Sequence, residues 1–258
     1  MRSSPRSRLL LLGAAAVAVL LVVATQTVGA AASGSSGPSR LTTSGGTADA
    51  APKGTSEFLT DVTEDVDRYW TSAFADAGLE EPRVGYSWLP PGAVAQTACG
   101  PLNESTAAYC PGDDTIYISE RFADAIHAGA LDRALPGSSQ GYGGTLGDFS
   151  VAYIVAHEYA HQVQDELGYY DRYGGRLPTM AFELQADCYA GVWARSADDE
   201  GRLEAGDVQE ALDAALAVGD FDTASPGHHG TPEQRREAWV TGFESGEPDA
   251  CGAYLQTA

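Results

Sequence analysis

The chain has 258 residues and is acidic, with 36 Asp and Glu against 15 Lys and Arg and a formal net charge of −21. Nucleic-acid binding requires a basic surface, so this balance argues against nucleic-acid partners and suits a soluble, exported protein. Only five residues are histidine, which gives weight to any pair of them at regular spacing.

The first 32 residues have the layout of a secretory signal peptide. A start with three arginines precedes an apolar run over residues 9–24, and small residues follow as far as Ala32. This order is typical of export signals. The apolar run is short for a membrane span, which needs about 20 residues. Cleavage is therefore the favoured interpretation, with an uncleaved N-terminal membrane anchor as the alternative. Both place the rest of the chain outside the cytoplasm, secreted or anchored.

Residues 33–54 are rich in Ser, Gly, Thr and Ala, a composition that predicts a flexible linker. The remaining residues, 55–258, fit one domain. Within it, β-branched and aromatic residues in alternation predict a strand at 115–119, and residues 83–89 are a second candidate. Residues 107–110 are expected to form a hairpin with 115–119.

The most informative segment is a helix predicted over residues 150–167, in which an H-E-x-x-H motif runs from His157 to His161. Two histidines at i and i+4 lie about one turn apart on the same face, so both imidazoles can bind one zinc ion. Glu158 follows the first histidine and can act as general base toward a water at the metal. Apolar residues flank the motif, which favours a buried catalytic helix over two surface histidines.

A second helix, predicted over residues 178–196, offers the third protein ligand that catalytic zinc requires. Glu183 and Asp187 are at i and i+4, so they share one face of an otherwise apolar helix. Two acids so placed repel each other unless positive charge lies between them. We therefore predict that Glu183 binds zinc and that Asp187 accepts the far ring N–H of a ligand histidine, His157 in our interpretation. The alternative is a solvated acidic face.

Residues 200–218 predict an amphipathic helix that packs on the core. His229 precedes a helix that starts near Pro232, and two roles are open for it. It can donate to the oxyanion of a tetrahedral intermediate, or it can be a structural residue that caps the helix. Arg235, on the same helix, is a candidate partner for an acid near the site.

Four cysteines in an exported chain predict two disulfides, for which three connectivities are possible. We favour Cys99–Cys110, which closes a short local loop. Cys188–Cys251 then ties the C-terminal segment to the second helix. Free or metal-binding cysteines are the alternative, but the cysteine spacing matches no zinc-knuckle pattern.

These motifs resemble those of the bacterial neutral zinc metallopeptidases. That family pairs an H-E-x-x-H helix with a helix whose motif stands here as ELQADCYAGVWA, residues 183–194. Two further stretches agree with the family, YCPGDDTIYI at 109–118 and HGTPEQR at 229–235. Ala160 stands where the family often has Gly, and Gln162 where it often has a second His. Neither departure removes a predicted ligand.

The resemblance implies an α+β, zincin-like fold that is mainly helical with a small antiparallel sheet. It also implies one catalytic zinc ion held by the two histidines and Glu183, with water in the fourth position. In zinc peptidases of this architecture an edge strand commonly pairs with the extended substrate. We assign that role to Ile116, Tyr117 and Ile118.

The predicted function is zinc-dependent hydrolysis of peptide bonds in a peptide or protein substrate, with Glu158 as general base. Two alternatives keep the same site: a non-catalytic binding protein stabilised by zinc, and a zinc amidase that acts on cell-wall peptides. An intact Glu158 argues against the first, because a site without catalysis has no need of the base. Membrane contact is expected only through an uncleaved N-terminal segment, and the oligomeric state is left open.

Overall fold

The structure is a computed structural model that describes residues 54–256. The predicted signal peptide or anchor at 1–32, nearly all of the predicted linker at 33–54, and the last two residues of the chain lie outside the described residues. Helices dominate the described part. They are Thr55–Asp76 (α1), Glu120–His127 (α2), Asp148–Glu166 (α3), Tyr169–Tyr173 (α4), Thr179–Asp199 (α5), Asp207–Val218 (α6) and Pro232–Ser245 (α7), with 3-10 turns at Ser138–Gln140 and Pro248–Leu255.

The strands of the described part are short and form two small sheets. They are Gly85–Leu89 (β1), Ala95–Thr97 (β2), Gly100–Leu102 (β3), Ala107–Cys110 (β4) and Thr115–Ser119 (β5). The larger sheet has the order β1-β5-β4, and β2 and β3 form a separate antiparallel pair. The predicted α+β, mainly helical class is confirmed. The larger sheet is mixed, because β1 joins β5 in parallel while β4 joins it as the predicted antiparallel hairpin.

The prediction that Ile116, Tyr117 and Ile118 pair with the substrate is wrong. These residues belong to β5, whose two edges are hydrogen-bonded to β1 and to β4. An extended peptide can be added only at a free strand edge. Alternating side chains identify a strand, but they do not say whether that strand lies at the edge or in the middle of its sheet.

Helix α3 is the centre of the domain and is buried on every side, from Asp148 to Gln164. It packs against α1, α5, α6 and β4. A helix with no exposed face needs apolar or small residues around its whole circumference, as the flanks of the H-E-x-x-H motif provide. It ends before Gly168, whose φ of 67° is a left-handed conformation that glycine adopts without steric cost.

Helices α5 and α7 are in backbone contact, and two glycines make this contact possible. A Cβ atom at Gly191 would lie 2.1 Å from the carbonyl oxygen of Trp239. A Cβ atom at Gly242 would lie 1.8 Å from the carbonyl oxygen of Cys188. The close approach brings Arg235, near the start of α7, beside the face of α5 that carries Asp187.

The predicted helix over residues 200–218 is shorter in the structure. Helix α6 begins only at Asp207. Gly201 and Gly206 have φ values of 69° and 117°, which a helix does not contain, so the residues between them form a non-helical connection. The apolar pattern of the sequence continues through this connection and so does not mark the boundary.

The structure joins Cys99 to Cys110 and Cys188 to Cys251, the two pairings favoured from the sequence. The first disulfide fastens the β2–β3 hairpin to the end of β4, and the second fastens α5 to the C-terminal 3-10 turn. Two disulfides fit an oxidising compartment. Within residues 54–256, no helix is both long and apolar enough to cross a membrane.

Candidate metal centre

Three predicted ligands meet where α3 crosses α5. The Nε2 atom of His157 lies 3.2 Å from Oε2 of Glu183, and the Nε2 atom of His161 lies 3.6 Å from Oε1 of Glu183. One ligand atom from each residue lies within 4.8 Å of the others. None of the three residues is more than 3% exposed. The tertiary fold thus brings together two histidines from one helix and a carboxylate from another.

The chemistry of these atoms fits a bound cation. Nε2 of His161 and both carboxylate oxygens of Glu183 are buried and have no hydrogen-bond partner among the described residues. Nδ1 of each histidine faces an acceptor, Asp187 for His157 and Gln164 for His161. With the proton on Nδ1, each Nε2 presents a lone pair, so the three ligand residues all direct acceptor atoms into the shared space. Nη2 of Arg235 lies at the border of this space, 3.5 Å from Nε2 of His157 and 3.9 Å from Oε2 of Glu183. Two imidazoles and one carboxylate are a ligand set of catalytic zinc.

The first histidine is held by a charged network. Nδ1 of His157 lies 2.8 Å from Oδ1 of Asp187, and the hydroxyl of Tyr153 donates to the same oxygen at 2.6 Å. Arg235 donates to both oxygens of Asp187, from Nε and Nη2, each at 2.8 Å. Burial raises the pKa of Asp187, but Arg235 and His157 together lower it more, so the carboxylate stays ionised. The structure therefore places Asp187 where the sequence predicted it.

The electrostatics of the two histidines differ. Burial lowers the pKa of His157, but Asp187 and Glu183 together outweigh burial and raise it to about 9. Burial lowers the pKa of His161 to about 4, so this imidazole is neutral at neutral pH. A histidine must be neutral to bind a metal, so ligation by His157 requires release of its proton. For Glu183, burial raises the pKa, and the nearby histidines lower it more.

Glu158 lies beside the ligands and is almost fully buried. Its Oε2 accepts a 2.8 Å hydrogen bond from the backbone N–H of Tyr109 in β4. Burial raises the pKa of Glu158 to about 7, a value suited to a base that accepts and returns a proton near neutral pH. His157 and Glu158 line a cavity of about 20 Å³, which is otherwise walled by Ala107, Phe122, Tyr153, Ile154, Val218 and Arg235.

His229 lies outside the group of ligand atoms. It is 23% exposed, and its backbone N–H donates to Asp220 at 2.8 Å. His229 is the last of the groups that lower the pKa of Glu183, after the two ligand histidines. Helix α7 is capped by Thr231, whose hydroxyl accepts the N–H of Gln234. The capping role considered for His229 is therefore taken by Thr231.

Three contributions to the site were not identified from the sequence. Tyr153 lies one turn before His157 on α3, and this i, i+4 spacing was an available signal. Gln164 follows His161 by three residues on the same helix. The N–H of Tyr109 is a backbone group, so no side-chain pattern could have indicated it.

A second acidic group lies at the start of α3 and α6. Carboxylate oxygens of Asp148, Asp207 and Glu210 lie within 4.8 Å of one another. Burial raises the pKa of Asp207 to about 6, and Asp148 contributes to the increase. We assign no ligand to this group.

A helix that carries H-E-x-x-H, faced by a glutamate of a second helix and bordered by a small sheet, defines a metallopeptidase-like protein of the zincin kind. The chain belongs to the family described as "Putative neutral zinc metallopeptidase", whose model matches residues 4–254.

Relatives of the chain occur in distant bacteria. The uncharacterized protein YpfJ of Escherichia coli K12 is 35% identical over 230 residues, which cover 80% of this chain and 72% of YpfJ. The uncharacterized protein Mb2605 of Mycobacterium bovis is 33% identical over 183 residues, which cover 61% of this chain and 58% of Mb2605. No solved structure matches the chain.

Proposed function

We propose that the protein is a zinc-dependent peptidase that works outside the cytoplasm and binds one zinc ion. The observation that carries this proposal is the convergence of unpartnered acceptor atoms from His161 and Glu183 with Nε2 of His157. Such a set is costly to bury unless a cation satisfies it. Family membership supports zinc as that cation, and the two disulfides support an oxidising compartment.

His157, His161 and Glu183 would hold the metal, leaving one coordination position for water or substrate. When bound, zinc supplies Lewis-acid chemistry, lowering the pKa of water and polarising the scissile carbonyl group. Asp187 fixes the proton of His157 on Nδ1 and so directs Nε2 toward the ligand space. Arg235 balances the charge of Asp187 and prevents that carboxylate from competing as a ligand.

Glu158 is the proton carrier of the proposed reaction. Its carboxylate takes a proton from the attacking water and delivers it to the leaving amine. The N–H of Tyr109 holds Oε2 of Glu158, which leaves Oε1 to take the proton. Glu158 lines the small cavity together with His157 and Ala107. A base whose pKa is near 7 can complete both transfers at neutral pH.

The outer strand β4 replaces β5 as the candidate for substrate pairing. The N–H of Tyr109 points away from β5 and toward α3, because it donates to Glu158. In an antiparallel pair, backbone groups alternate between the partner side and the outer side. Ala107, two residues earlier, therefore presents its backbone on the side of Tyr109, and it lines the cavity beside the base. A peptide extended along this edge would place its carbonyl near Glu158.

The test compares the full chain with Glu158→Gln and Glu183→Gln on an unstructured protein substrate and on cell-wall peptides. Glu158→Gln should retain one equivalent of zinc and lose about 10²–10⁴-fold in kcat. Glu183→Gln should lose zinc as well as activity. Glu166→Gln is the matched control, because Glu166 is an exposed acid of the same helix that contacts Arg83 and Gln162 instead of the ligands. A peptide N-methylated at the residue paired with Ala107 should show a raised KM.

Four results would decide between the interpretations of the site. Wild-type turnover by Glu158→Gln would contradict the mechanism. Zinc binding without cleavage of either substrate would favour a non-catalytic binding protein. Cleavage of cell-wall peptides alone would favour an amidase. An unchanged KM for the N-methylated peptide would remove β4 from the substrate site.

A further inference from the structure

The two histidines of the metal centre are oriented by different chemistry. His157 faces an ionised carboxylate that also binds an arginine. His161 faces a neutral amide, because its Nδ1 lies 2.9 Å from Oε1 of Gln164. Gln164 is fully buried. In the proposed zinc site, one ligand histidine is therefore oriented by a charged residue and the other by an uncharged residue.

Gln164 belongs to a chain of amides that crosses from α3 to α5. Its Nε2 donates to the carbonyl oxygen of Phe182 at 2.8 Å and to Oε1 of Gln185 at 3.2 Å. Both amide hydrogens of Gln164 are thus used, which fixes its Oε1 toward His161. The hydroxyl of Tyr170 lies 3.2 Å from the same Oε1 and 3.3 Å from Nδ1 of His161.

The chain of amides ends at the C-terminal part of the domain. Nε2 of Gln185 donates to the carbonyl oxygen of Cys251 at 3.2 Å. Cys251 is held by its disulfide to Cys188, which is on the same helix as Gln185. Gln185 is fully buried as well. The carbonyl group at which the hydrogen-bonded amides end is therefore covalently linked to α5 through the disulfide.

We propose that Gln164 and Gln185 form an amide relay whose function is to position His161 for metal binding. Gln164 acts directly on the imidazole, and Gln185 acts through Gln164, so both are positioning residues. This inference rests on the proposed zinc site. It adds that the affinity for zinc depends on two uncharged residues that are not themselves metal ligands.

Glutamine is suited to this place because it accepts from His161 with one end and donates twice with the other. A carboxylate could accept from His161, but it would face two acceptor oxygens, those of Phe182 and Gln185, without a proton to offer. A leucine could do neither. Loss of a partner that orients a ligand histidine typically lowers metal affinity by about 10–100-fold.

The experiment measures zinc affinity of the full chain by competition with a chromophoric chelator. Gln164→Leu should weaken zinc binding about 10–100-fold. Gln162→Leu is the matched control. Gln162 is an equally buried amide of the same helix, but it donates to Arg83 and Glu166 and touches no ligand. Its loss should leave zinc affinity unchanged, while any general cost of removing a buried amide affects both variants.

Three further measurements separate positioning from stability. With Co²⁺ in place of zinc, Gln164→Leu should alter the visible absorption bands, which report the geometry at the metal, and Gln162→Leu should not. Gln164→Glu keeps the acceptor for His161 and should recover most of the affinity lost in Gln164→Leu, although it costs stability through its contact with Gln185. Gln185→Leu should show a smaller loss of affinity than Gln164→Leu.

Equal zinc affinities for Gln164→Leu and Gln162→Leu, with identical cobalt spectra, would overturn the relay. An affinity for Gln164→Glu as low as that of Gln164→Leu would also count against it. Because the readout is metal affinity, these outcomes are distinct from failure of the proposed peptidase activity. A wild-type protein that binds zinc tightly and cleaves no peptide would contradict the proposed peptidase activity without contradicting the amide relay.

Discussion

At the scale of single residues, the metal centre depends on how one buried carboxylate is compensated. Asp187 is fully buried and receives hydrogen bonds from Tyr153 and from two nitrogens of Arg235, besides its contact with His157. An ionised group can be kept in such a place only when it is paired and hydrogen-bonded. The same contacts that make the charge tolerable also fix the tautomer of His157.

Arg235→Met is expected to destabilise the metal-free protein strongly. The substitution keeps most of the side-chain volume but leaves Asp187 without its cation, and removal of one partner of a buried pair costs about 3–5 kcal/mol. Urea unfolding measures the change. Arg236→Met, at the exposed neighbouring position of α7, is the control and should change the free energy of unfolding by less than about 0.5 kcal/mol. Equal stability of the two variants would show that Asp187 is compensated in another way.

The residues of the centre differ in how far the sequence can predict them. His157, Glu158 and His161 follow from helical spacing alone, and Glu183 and Asp187 follow from two acids on one apolar face. Arg235 and Asp187 are 48 positions apart in the sequence, and no local sequence pattern predicts a contact between residues so far apart. The role of Gln164 is equally hard to predict, because what a buried glutamine does depends on the partners that the fold supplies.

At the scale of elements, helices were predicted more closely than the sheet. The spans 150–167 and 178–196 differ from α3 and α5 by a few residues at each end, because apolar residues mark a helix along its whole length. The place of a strand within its sheet depends on pairing between distant segments. The parallel pairing of β1 with β5 and the central position of β5 were therefore not accessible from the alternation of side chains.

Gly242→Ala is expected to separate α5 from α7. The added methyl group would lie 1.8 Å from the carbonyl oxygen of Cys188 and 2.9 Å from the backbone nitrogen of Val192. Both are backbone atoms that cannot turn aside, so the helices must move apart at a cost of about 1–3 kcal/mol or more. The shift would also carry Arg235 away from Asp187. We therefore expect both the free energy of unfolding and the zinc affinity to fall.

Gly252→Ala is the matched control for this substitution. A Cβ atom at Gly252 meets nothing within 4 Å, so the variant should be as stable as the wild type and bind zinc equally well. Thermal unfolding and chelator competition provide the two readouts. If Gly242→Ala behaved like its control, the backbone contact between α5 and α7 would not be the one that positions Arg235.

At the scale of the whole molecule, the metal centre is enclosed. The ligands and Glu158 are at most 3% exposed, and the adjoining cavity of about 20 Å³ has room for about one water molecule. Its walls come from α2, α3, α6, α7 and β4. A peptide can reach the base only if one of these walls moves. Under the proposed function, opening of the domain is therefore part of each catalytic cycle.

The acidity of the whole molecule also affects its stability, and Asp207 is one buried acid at which this effect can be measured. The chain carries a net charge of −21, and Asp207 is packed close to the carboxylates of Asp148 and Glu210. Burial, with smaller contributions from the charges of Asp148 and Glu204, raises the pKa of Asp207 from 3.8 to about 6. A carboxyl group whose pKa is raised by folding stabilises the protein while it is protonated. That contribution is complete below the unfolded value and is lost as pH rises through about 6.

Asp207→Asn is therefore expected to raise the free energy of unfolding at about pH 7.5 and to have little effect near pH 4. The gain should be about 1 kcal/mol, because solvent screening reduces the effect of the pKa shift and the loss of an acid from the first turn of α6 costs about 0.3–1 kcal/mol. Asparagine keeps the acceptor for the N–H of Glu204. Asp198→Asn removes the same charge from an exposed position of α5 and should show no such pH dependence. Urea unfolding at both pH values measures the differences. A gain of equal size for the two variants would mean that net charge, and not the burial of Asp207, sets the cost.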